Sequence, residues 1–416
     1  MNKIEWFGEL PSTWDVTRLK NVLIERNESN KPVKTDFILS LTNDRGVIPY
    51  SEKGAVGNNS KDDITGYKLA YPKDLVLNSM NVVIGSVGIS KYFGCVSPVY
   101  YMLRPRNHED PVEFYNYLFQ TNEMQSALKG YGNGIMEIRM RIAMSKLNTF
   151  NLPIPSSQVQ RKIVDRIRES ENRIDQLIAN QQQQIEKLKE YKQSLITEVV
   201  TKGLDPNVEF KESGIEWIGK IPAHWKMVFL SSIFYEHKLK NANLVNTNLL
   251  SLSYGNIVNK DINTRDGLLP DSFEGYNIVS NNDIVLRLTD LQNDKKSLRV
   301  GLCTQEGIIT SAYITIRAKV DLNSYYFHKL LHSYDINKVF YGMGSGVRQS
   351  MGFNEIRKIP LLLPPKNEMK IISERVQETV CKIDALITLK ESKLEKLIDY
   401  KKSLIYEYVT GKKEVS

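Results

Sequence analysis

Apolar residues recur every seven residues along two long stretches of the chain, about 158–201 and about 367–410. This spacing predicts α-helices that pack side by side as a coiled coil. In the first stretch, the a positions hold Ile167, Ile174, Leu188 and Leu195, the d positions Leu177 and Tyr191, and the e positions Ile178, Ile185 and Val199. In the second, the a positions hold Val376, Ile383, Leu397 and Leu404, the d positions Leu386 and Tyr400, and the e positions Val380, Ile387, Leu394 and Tyr408. Each helix would be roughly 65 Å long, so each needs a partner helix.

The two stripes are interrupted at equivalent places, by Gln181 and Gln184 in the first and by Lys390 and Lys393 in the second. A polar layer in an apolar seam fixes the register of a helix pair. The interruption therefore suits a pair within one chain that must not slip. A twofold axis between two similar halves would make that pair antiparallel, with a globular domain at each end of the rod. The alternative is that each helix packs on its own domain or drives oligomerisation.

The region before each helix is also repeated. The segment Ile4–Trp14 returns as Ile215–Trp225, with a period near 210 residues, which fits one domain and its connector. Two similar halves predict a pseudo-twofold molecule. All the tryptophans lie in this repeat, and we expect them to anchor each domain to a helix end: Trp6, Trp14, Trp217 and Trp225.

Short apolar runs and helical patterns alternate in the remaining parts of both halves. Strand-like runs bounded by Asn, Gly, Asp and Pro precede a helical stretch at 112–129, and the second half repeats that order up to a helical stretch at 325–340. The fold class predicted is α+β: two mixed α/β domains separated by two long helices that form an antiparallel coiled coil.

Composition limits the classes of protein that fit. The 416 residues are 41% hydrophobic and 25% charged, as in folded globular proteins, and the formal net charge of +8 favours a polyanionic partner. The three widely spaced cysteines form no CxxC motif, which indicates a reducing cytoplasm. No signal peptide or run of 18 apolar residues is seen, so no membrane association is expected.

Catalytic motifs are weak throughout. No GxxxxGK[ST] loop occurs, and Gly342, Gly344 and Gly346 follow a helical segment rather than a strand, which predicts a turn and not a dinucleotide site. His328 and His332 have the i, i+4 spacing of metal ligands, but without an acidic partner a packing or surface role is favoured. We therefore predict no catalytic residues and no metal site on this chain.

Polar loop residues at corresponding places in both halves are the candidate DNA contacts. Arg, Asn and Gln match the edges of guanine and adenine, whereas Lys suits phosphate. The first half offers Thr42, Asn43, Arg45, Asn78, Asn81, Lys91, Asn133, Arg139 and Arg141. The second offers Tyr254, Asn256, Arg287, Thr289, Asp290, Lys295, Lys296, Arg348 and Gln349. Taken singly, each could equally be a solvated loop residue.

Several motifs resemble the DNA specificity subunit of type I restriction-modification systems. The segments Gly8–Trp14 and Gly219–Trp225 are similar to the Gly-x-[Ile/Leu]-Pro-x-x-Trp entry of that family's target-recognition domains. The domain interiors at 74–100 and 283–301, and the exit from Gly346–Gln349 to Ile359–Pro365, resemble the family in the same order. The first half departs from the pattern at Gly134–Arg139, which leaves open how its exit loop meets DNA.

The resemblance implies target-recognition domains at 1–155 and 204–365 and spacer helices at 156–203 and 366–416. It implies a non-catalytic, cytoplasmic chain that reads an asymmetric bipartite site in double-stranded DNA, in phage defence and DNA methylation. Two methyltransferase subunits would dock on the helices and restriction subunits could join them. S-adenosylmethionine, ATP and Mg²⁺ would be bound by those partners and by none of this chain's residues. The helices would set the distance between half-sites. The helix positions expected in the coiled coil or partner contact are Ile167, Ile174, Leu177, Leu188, Leu195, Val376, Ile383, Leu386, Leu397 and Leu404.

Two alternatives remain open at the level of sequence. The chain could be a duplicated coiled-coil scaffold that organises other proteins without reading DNA sequence. It could also be a specificity subunit for a simpler methyltransferase or a fused nuclease system.

Overall fold

A computed structural model describes residues 3–4, 6–54, 63–132, 141–262, 270, 272–292, 298–343 and 350–415. The chain divides into two compact units. Unit 1 comprises residues 1–182 and 392–416, and unit 2 comprises residues 183–391. Each unit contains one globular domain together with a segment of each long helix, so the helices α5 (Ser157–Lys202) and α9 (Lys366–Val409) belong partly to each unit.

Unit 1 has a mixed domain that precedes α5. Its strands are β1 Lys3–Ile4, β2 Gly8–Glu9, β3 Asp15–Arg18, β4 Leu23–Arg26, β5 Leu39–Thr42, β6 Gly46–Pro49, β7 Lys68–Ala70, β8 Leu75–Asn78, β9 Val87–Ile89, β10 Gly94–Val96, β11 Tyr100–Pro105 and β12 Asn151–Ile154. Its short helices are α1 Leu19–Val22, α2 Val112–Phe119, α3 Asn122–Lys129 and α4 Met144–Leu147. The central sheet is antiparallel, with the order β4-β11-β8-β9, and α2 and α3 cover its apolar face.

Unit 2 repeats this plan. Its strands are β13 Phe210–Glu212, β14 Lys220–Pro222, β15 Lys226–Phe229, β16 Phe234–Glu236, β17 Leu250–Ser253, β18 Asn256–Asn259, β19 Asn277–Val279, β20 Ile284–Leu286, β21 Val300–Leu302, β22 Gly307–Ile309, β23 Ile314–Ala318 and β24 Pro360–Leu363. Its short helices are α6 Leu230–Ile233, α7 Ser324–Ile336 and α8 Phe353–Ile356. The order β16-β23-β20-β21 matches the central sheet of unit 1. The α+β prediction and the internal duplication are confirmed.

The predicted helical stretch at 112–129 is two helices rather than one. The chain turns at Gln120 and Thr121, and the Thr121 hydroxyl accepts a hydrogen bond from Met124 N as the N-cap of α3. Threonine favours this position because its side chain satisfies a backbone N–H that the first helical turn leaves without a partner. The break lets both helices bury apolar residues against the same sheet.

The long helices begin and end within about one residue of the predicted bounds, and they pair antiparallel within each unit. In unit 1, Lys401 forms ion pairs with Asp175 at 2.9 Å and Glu171 at 3.3 Å. In unit 2, Lys192 pairs with Asp384 at 2.6 Å. In unit 1, Arg166 contacts Tyr408 while the later residue Asp175 contacts Lys401. In unit 2, Lys189 pairs with Glu391 while Lys192 pairs with Asp384. In each unit the residue number on α9 falls as that on α5 rises, so the helices are antiparallel, which confirms the prediction.

The heptad assignment needs one correction, because the seam is formed by the a and e positions and not by a and d. Ile174, Ile383 and Ile387 are 5–7% exposed, whereas the d residues Leu177, Tyr191, Leu386 and Tyr400 are 47–57% exposed. Positions a and e are four residues apart, so their side chains stack on nearly the same face of the helix, whereas d lies on its flank. Among the other predicted contact residues, Ile167, Val376 and Leu404 are buried and Leu188, Leu195 and Leu397 are half-buried.

The predicted polar layer lies only partly in the corrected seam: Gln181 and Lys390 occupy a positions, whereas Lys393 occupies a d position and is exposed. Gln181 is buried in unit 1, and in unit 2 the half-buried Lys390 donates a hydrogen bond to Gln184 Oε1. The Lys390–Gln184 bond helps to specify the register of the pair, because a shifted register would separate these two side chains.

Candidate nucleic-acid interface

The loop after β8 in unit 1 contains two of the candidate residues and has a fixed shape. Asn78 is buried, and its side-chain oxygen accepts a 3.0 Å hydrogen bond from Met80 N. Asn81 starts a 3-10 turn at Val82–Ile84 that ends on Gly85, where φ is +79°. A positive φ favours glycine because it has no Cβ to clash with the backbone. Asn78 therefore shapes the loop and has little surface left for a base contact.

The tip of the β5–β6 hairpin lies against this loop. Asn43 Nδ2 donates to Ile84 O at 3.3 Å, and Arg45 is held by its guanidinium bond to Glu52 O at 3.0 Å. Thr42 Oγ1 accepts from Arg45 N at 3.2 Å, which closes the turn. Both Asn43 and Arg45 are exposed, so these side chains can meet a ligand at this edge of the domain.

A third segment reaches the same edge. Ile142 N donates to Ser79 O at 2.9 Å, which places the exposed Arg141 beside the loop after β8. The structure thus brings together the candidates at 42–45, 78–81 and 141, which are far apart in sequence. Asn133 and Arg139 lie outside the described residues.

Lys91 does not belong to this cluster. It follows β9, which runs from the loop after β8 back toward the start of β8, where Lys73 N donates to Ser90 O. The exposed Lys91 is therefore at the opposite end of the strand from Asn81. Lys91 was predicted as a lysine suited to phosphate, and the antiparallel β8–β9 pair carries it to the end of the strands opposite Asn81.

Unit 2 builds the same edge from different residues. Tyr254 and Gly255 form the tip of the β17–β18 hairpin, with φ values of +46° and +80° that are typical of a two-residue type I′ turn. Tyr254 is 74% exposed and Asn256 is also exposed. This hairpin replaces the Asn43 and Arg45 of unit 1 with an exposed aromatic ring and an amide.

The segment after β20 contains Arg287, Thr289 and Asp290, which are all half-buried. Leu288 O accepts a 2.9 Å hydrogen bond from Met351 N. This bond corresponds to the one between Ser79 and Ile142, since both partners are shifted by 209 residues. Both units therefore join the same two segments in the same way. Lys295, Lys296, Arg348 and Gln349 lie outside the described residues.

Arg299 was missed by the sequence analysis and is the most connected side chain of this region. It is 0% exposed. Its Nη1 donates to Arg287 O at 3.0 Å and to Thr289 O at 2.8 Å, and its Nη2 donates to Asp290 O at 3.4 Å. Its Nε donates to the Tyr341 hydroxyl at 3.1 Å. In sequence it follows the Lys295–Lys296 pair and looks like one more cation of a basic loop.

A buried aspartate holds the other end of the central strand in each unit. Asp74 and Asp283 precede β8 and β20 and accept hydrogen bonds from the backbone N–H of Tyr71 and Ser280. Arg317 pairs with Asp283 through two bonds of 2.7 Å. The bond to Asp283 raises the pKa of the Arg317 guanidinium, and burial raises that of the Asp74 carboxyl. These ion pairs stabilise the sheet away from the candidate edge.

His328 and His332 pack inside unit 2. His328 is 7% exposed, and burial lowers the pKa of both imidazoles, that of His332 to about 4. The His332 ring lies beside Gly255 at the hairpin tip, since a Cβ on that glycine would be 3.6 Å from its Cε1. Within the described part of the chain, no group of three or more His, Cys, Asp or Glu side chains could hold a metal ion.

Two tryptophans of the repeat, Trp14 and Trp225, lie at the ends of the long helices. Trp225 is fully buried, and its ring is 3.3 Å from where a Cβ on Gly203 would lie, just after α5. The Trp14 ring is 3.1 Å from the equivalent point on Gly411, just after α9. Trp6 and Trp217 pack on Phe150 and Tyr334 at ring-centroid distances of 5.2 Å and 4.2 Å. The contacts of Trp14 and Trp225 fit the predicted anchor role, whereas those of Trp6 and Trp217 are with aromatic rings of the globular domains.

The exposed d residues form an apolar flank on the paired helices in each unit. Leu177 and Tyr400 share the d position in unit 1, and Tyr191 and Leu386 share it in unit 2. Large apolar side chains left in solvent at repeated positions are a feature of protein-binding surfaces. No helix among the described residues is long and apolar enough to cross a membrane.

Comparison with known proteins agrees with the sequence motifs. Residues 11–187 match the model of the type I restriction modification DNA specificity domain. The chain is 24% identical over 422 residues to the protein described as the type I restriction enzyme MjaX specificity subunit of Methanocaldococcus jannaschii, covering 97% of this chain and 95% of the relative. It is 23% identical over 439 residues to the type I restriction enzyme MjaVIII specificity subunit of the same organism, covering 97% and 93%.

Solved structures share the fold. A chain from a study of complex assembly and conformational transition of the type I R-M system has a TM-score of 0.70 at 11% identity, covering 97% of this chain and 99% of that one. The HsdS subunit from Thermoanaerobacter tengcongensis has a TM-score of 0.54 at 12% identity, covering 97% and 98%. The sequence motifs, the family model over residues 11–187, the full-length relatives and the shared fold all point to the same group of proteins, the DNA specificity subunits of type I restriction-modification systems.

Proposed function

We propose that the two units read the two halves of an asymmetric bipartite DNA site. The observation that carries this proposal is the pair of equivalent edges, joined by the Ser79–Ile142 and Leu288–Met351 bonds, which present different side chains. Asn43 and Arg45 in unit 1 correspond in place to Tyr254 and Asn256 in unit 2. Because base discrimination depends on the hydrogen-bonding groups presented to the groove, unlike edges select unlike half-sites.

The partners on this proposal are two methyltransferase subunits. The apolar flank occurs twice at equivalent positions, as Leu177 with Tyr400 and as Tyr191 with Leu386. A duplicated surface can bind two copies of one partner, as the surfaces of a symmetric dimer do. Restriction subunits would join the complex through these partners.

The chemistry is assigned to those partner subunits. The methyltransferase would flip an adenine from the stack and methylate its N6 with S-adenosylmethionine. ATP and Mg²⁺ would serve the restriction subunits. The residues of this chain would select the site and hold the partners on it, and a chromosomal DNA ligand fits the expected cytoplasmic location.

Long-read mapping of methylated adenine tests the proposal directly. Genomic DNA from cells with the intact gene, from a deletion strain and from the complemented strain would be compared. We expect one split motif with unequal halves that is lost on deletion and restored on complementation. A methylome that is unchanged by deletion, or a motif with two identical halves, would contradict the proposal.

A further inference from the structure

Unit 2 holds its two candidate loops together through one buried side chain. The first loop is the segment Arg287–Asp290 after β20, and the second is the turn at Val339–Gly342. The guanidinium of Arg299 donates to three carbonyls of the first loop and to the Tyr341 hydroxyl of the second. The Arg299 guanidinium carbon also lies over the face of the Tyr341 ring, 5.4 Å from the ring centroid. This cation–π contact is a second link between the two residues.

The geometry is specific to arginine. A guanidinium carries five N–H donors in a rigid planar fork, so it can serve several carbonyls that point inward from one turn. A lysine ammonium is a compact charge on a flexible stem and cannot reproduce that fork. Without Arg299, the carbonyls of Arg287, Thr289 and Asp290 would lose these bonds in a buried place, and the loop would change its path to regain them.

The backbone of Arg299 is fixed as well. Its N–H donates to Asp335 Oδ2 on α7 at 2.6 Å, and its carbonyl accepts from Arg287 N at 2.9 Å. Arg299 is therefore anchored on α7 and leads directly into β21, and rigid elements of this kind position a site accurately. The loop takes its shape from this anchor.

Unit 1 uses a different device at the equivalent position. Ser86 precedes β9 as Arg299 precedes β21, and its carbonyl likewise accepts from Asn78 N, at 3.1 Å. The shorter loop of unit 1 closes on itself through the 3-10 turn Val82–Ile84. Arg299 therefore occurs in the unit with the longer loop, whereas unit 1 has a serine at the equivalent position. A residue that determines the recognition of one half-site would differ between the units in this way.

We propose that Arg299 is the positioning residue for base recognition by unit 2, and that its guanidinium fixes the shape of the loop Arg287–Asp290 and its distance from the segment at Tyr341. This inference rests on the proposed function. Arg299 is fully buried, so it acts through the loop residues and does not touch DNA itself. Its loss relaxes the sequence preference at one half-site and leaves the other half-site unchanged.

The test uses the complex of the full chain with its methyltransferase. The wild-type target is first taken from the methylation map, and the half-site read by unit 2 is identified by exchanging residues 226–364 for those of a relative. Affinities are then measured for the target and for duplexes with single changes in either half. Arg299→Lys should lower discrimination at the unit 2 half-site at least tenfold, which is within the range that one base contact supplies, and change the other half-site less than twofold.

Arg317→Lys is the matched control. Arg317 is also a hydrogen-bonded arginine of unit 2, but its bonds to Asp283 lie at the other end of β20. If Arg299 had a purely structural role, both variants would have a lower unfolding temperature. Neither variant would then lose more discrimination at one half-site than at the other. Discrimination that is kept at both half-sites in Arg299→Lys, or lost equally at both, would overturn the inference.

Tyr341→Phe provides a second variant if Arg299→Lys yields no folded complex. It removes the hydroxyl that accepts from Arg299 Nε and keeps the ring and the buried charge. We expect a twofold to fivefold loss of discrimination at the unit 2 half-site alone, and an unchanged preference would overturn the inference. A wild-type complex that methylates no bipartite motif would instead refute the proposed function, so the two failures are distinguishable.

Discussion

The indole nitrogen of Trp225 donates a 3.0 Å hydrogen bond to Glu368 Oε1, which joins the repeated tryptophan segment to the first turn of α9. Trp225 is fully buried, and the second oxygen of the same carboxylate lies 2.7 Å from His224 Nε2. One glutamate therefore ties two side chains of the entry segment to the start of the long helix, where a negative charge is also favourable for the helix dipole.

Replacing this carboxylate should destabilise unit 2. Glu368→Ala leaves the buried indole N–H without its acceptor, which costs about 1–3 kcal/mol. The free energy of unfolding from denaturant titration measures the loss. Glu395→Ala, an exposed glutamate on the same helix, should change that free energy by less than about 0.5 kcal/mol. Equal effects of the two substitutions would argue against the anchor.

Stability should also fall with pH because of His332. Burial, with a smaller contribution from Lys329 and Lys192, lowers the pKa of the folded-state imidazole to about 4, against an ordinary pKa of 6.5. The unfolded state therefore binds the proton first, and stability that is present above pH 6.5 is lost as pH falls toward 4. At pH 5 the loss attributable to His332 is about 2 kcal/mol.

The measurement is the difference in unfolding free energy between pH 7 and pH 5. His332→Gln should reduce that difference by about 2 kcal/mol, whatever it costs at pH 7. His108→Gln, at an exposed histidine of unit 1, serves as the control and should leave the difference unchanged. A pH dependence that is the same in all three proteins would exclude His332 as its source.

The corrected helix seam predicts opposite effects for two neighbouring residues of α9. Ile383 is 5% exposed and packs with Ile185 and Ile387, so Ile383→Ala should cost about 2–4 kcal/mol of stability. Leu386 is 47% exposed, so Leu386→Ala should cost less than about 1 kcal/mol but weaken binding of the methyltransferase subunit. Thermal unfolding and a pull-down with the purified subunit separate the two. If Leu386→Ala bound the methyltransferase subunit as well as the wild type does, the apolar flank would not be part of the docking surface.

The helices, their bounds and their pairing were predictable because a long heptad repeat carries its own signal. The sequence did not show which side of the a positions is buried, because Leu177 and Tyr191 at d are as apolar as the residues that pack in the seam. Sequence spacing places d and e on either side of a, and only the packed partner helix decides which side is buried. The available clue was the number of apolar residues at each position, since the e positions hold three in the first helix and four in the second, whereas the d positions hold only two in each.

The candidate loops were predictable as regions but not as individual contacts. Lys91 is close to Asn81 in sequence and at the other end of β9 in space, which depends on strand pairing that polarity does not encode. Asn78 turns inward, and Arg299 is buried where its neighbours in sequence suggested a solvated basic loop. The clue to Arg299 was that the equivalent place in the first half holds Ser86, a change of size and charge within a repeated frame.

Arg45 and Lys91 provide a direct test of the candidate edge in unit 1, because both are exposed cations but only Arg45 lies with Asn43 beside the loop after β8. Arg45→Ala should reduce discrimination at the unit 1 half-site by about tenfold, since an arginine contact to a base edge contributes about 1–3 kcal/mol. Lys91→Ala should leave discrimination unchanged at either half-site. Competition binding with the complex and duplexes altered in one half gives both values. Equal discrimination by the two variants would place the reading edge elsewhere on the domain.

The last prediction concerns the length of the long helices. The family resemblance of the sequence implies that this length sets the spacing of the two half-sites. A heptad inserted into both α5 and α9, after Gln182 and after Glu391, preserves the register of the seam and adds about 10 Å to each helix. At about 3.4 Å per base pair, the unread spacer in the methylated motif should lengthen by about three base pairs, with both half-sites unchanged. Insertion of the same heptad into α5 alone is the control, because it breaks the seam and should abolish methylation. An unchanged spacer in a double-insertion strain that still methylates would show that the helices do not set the distance.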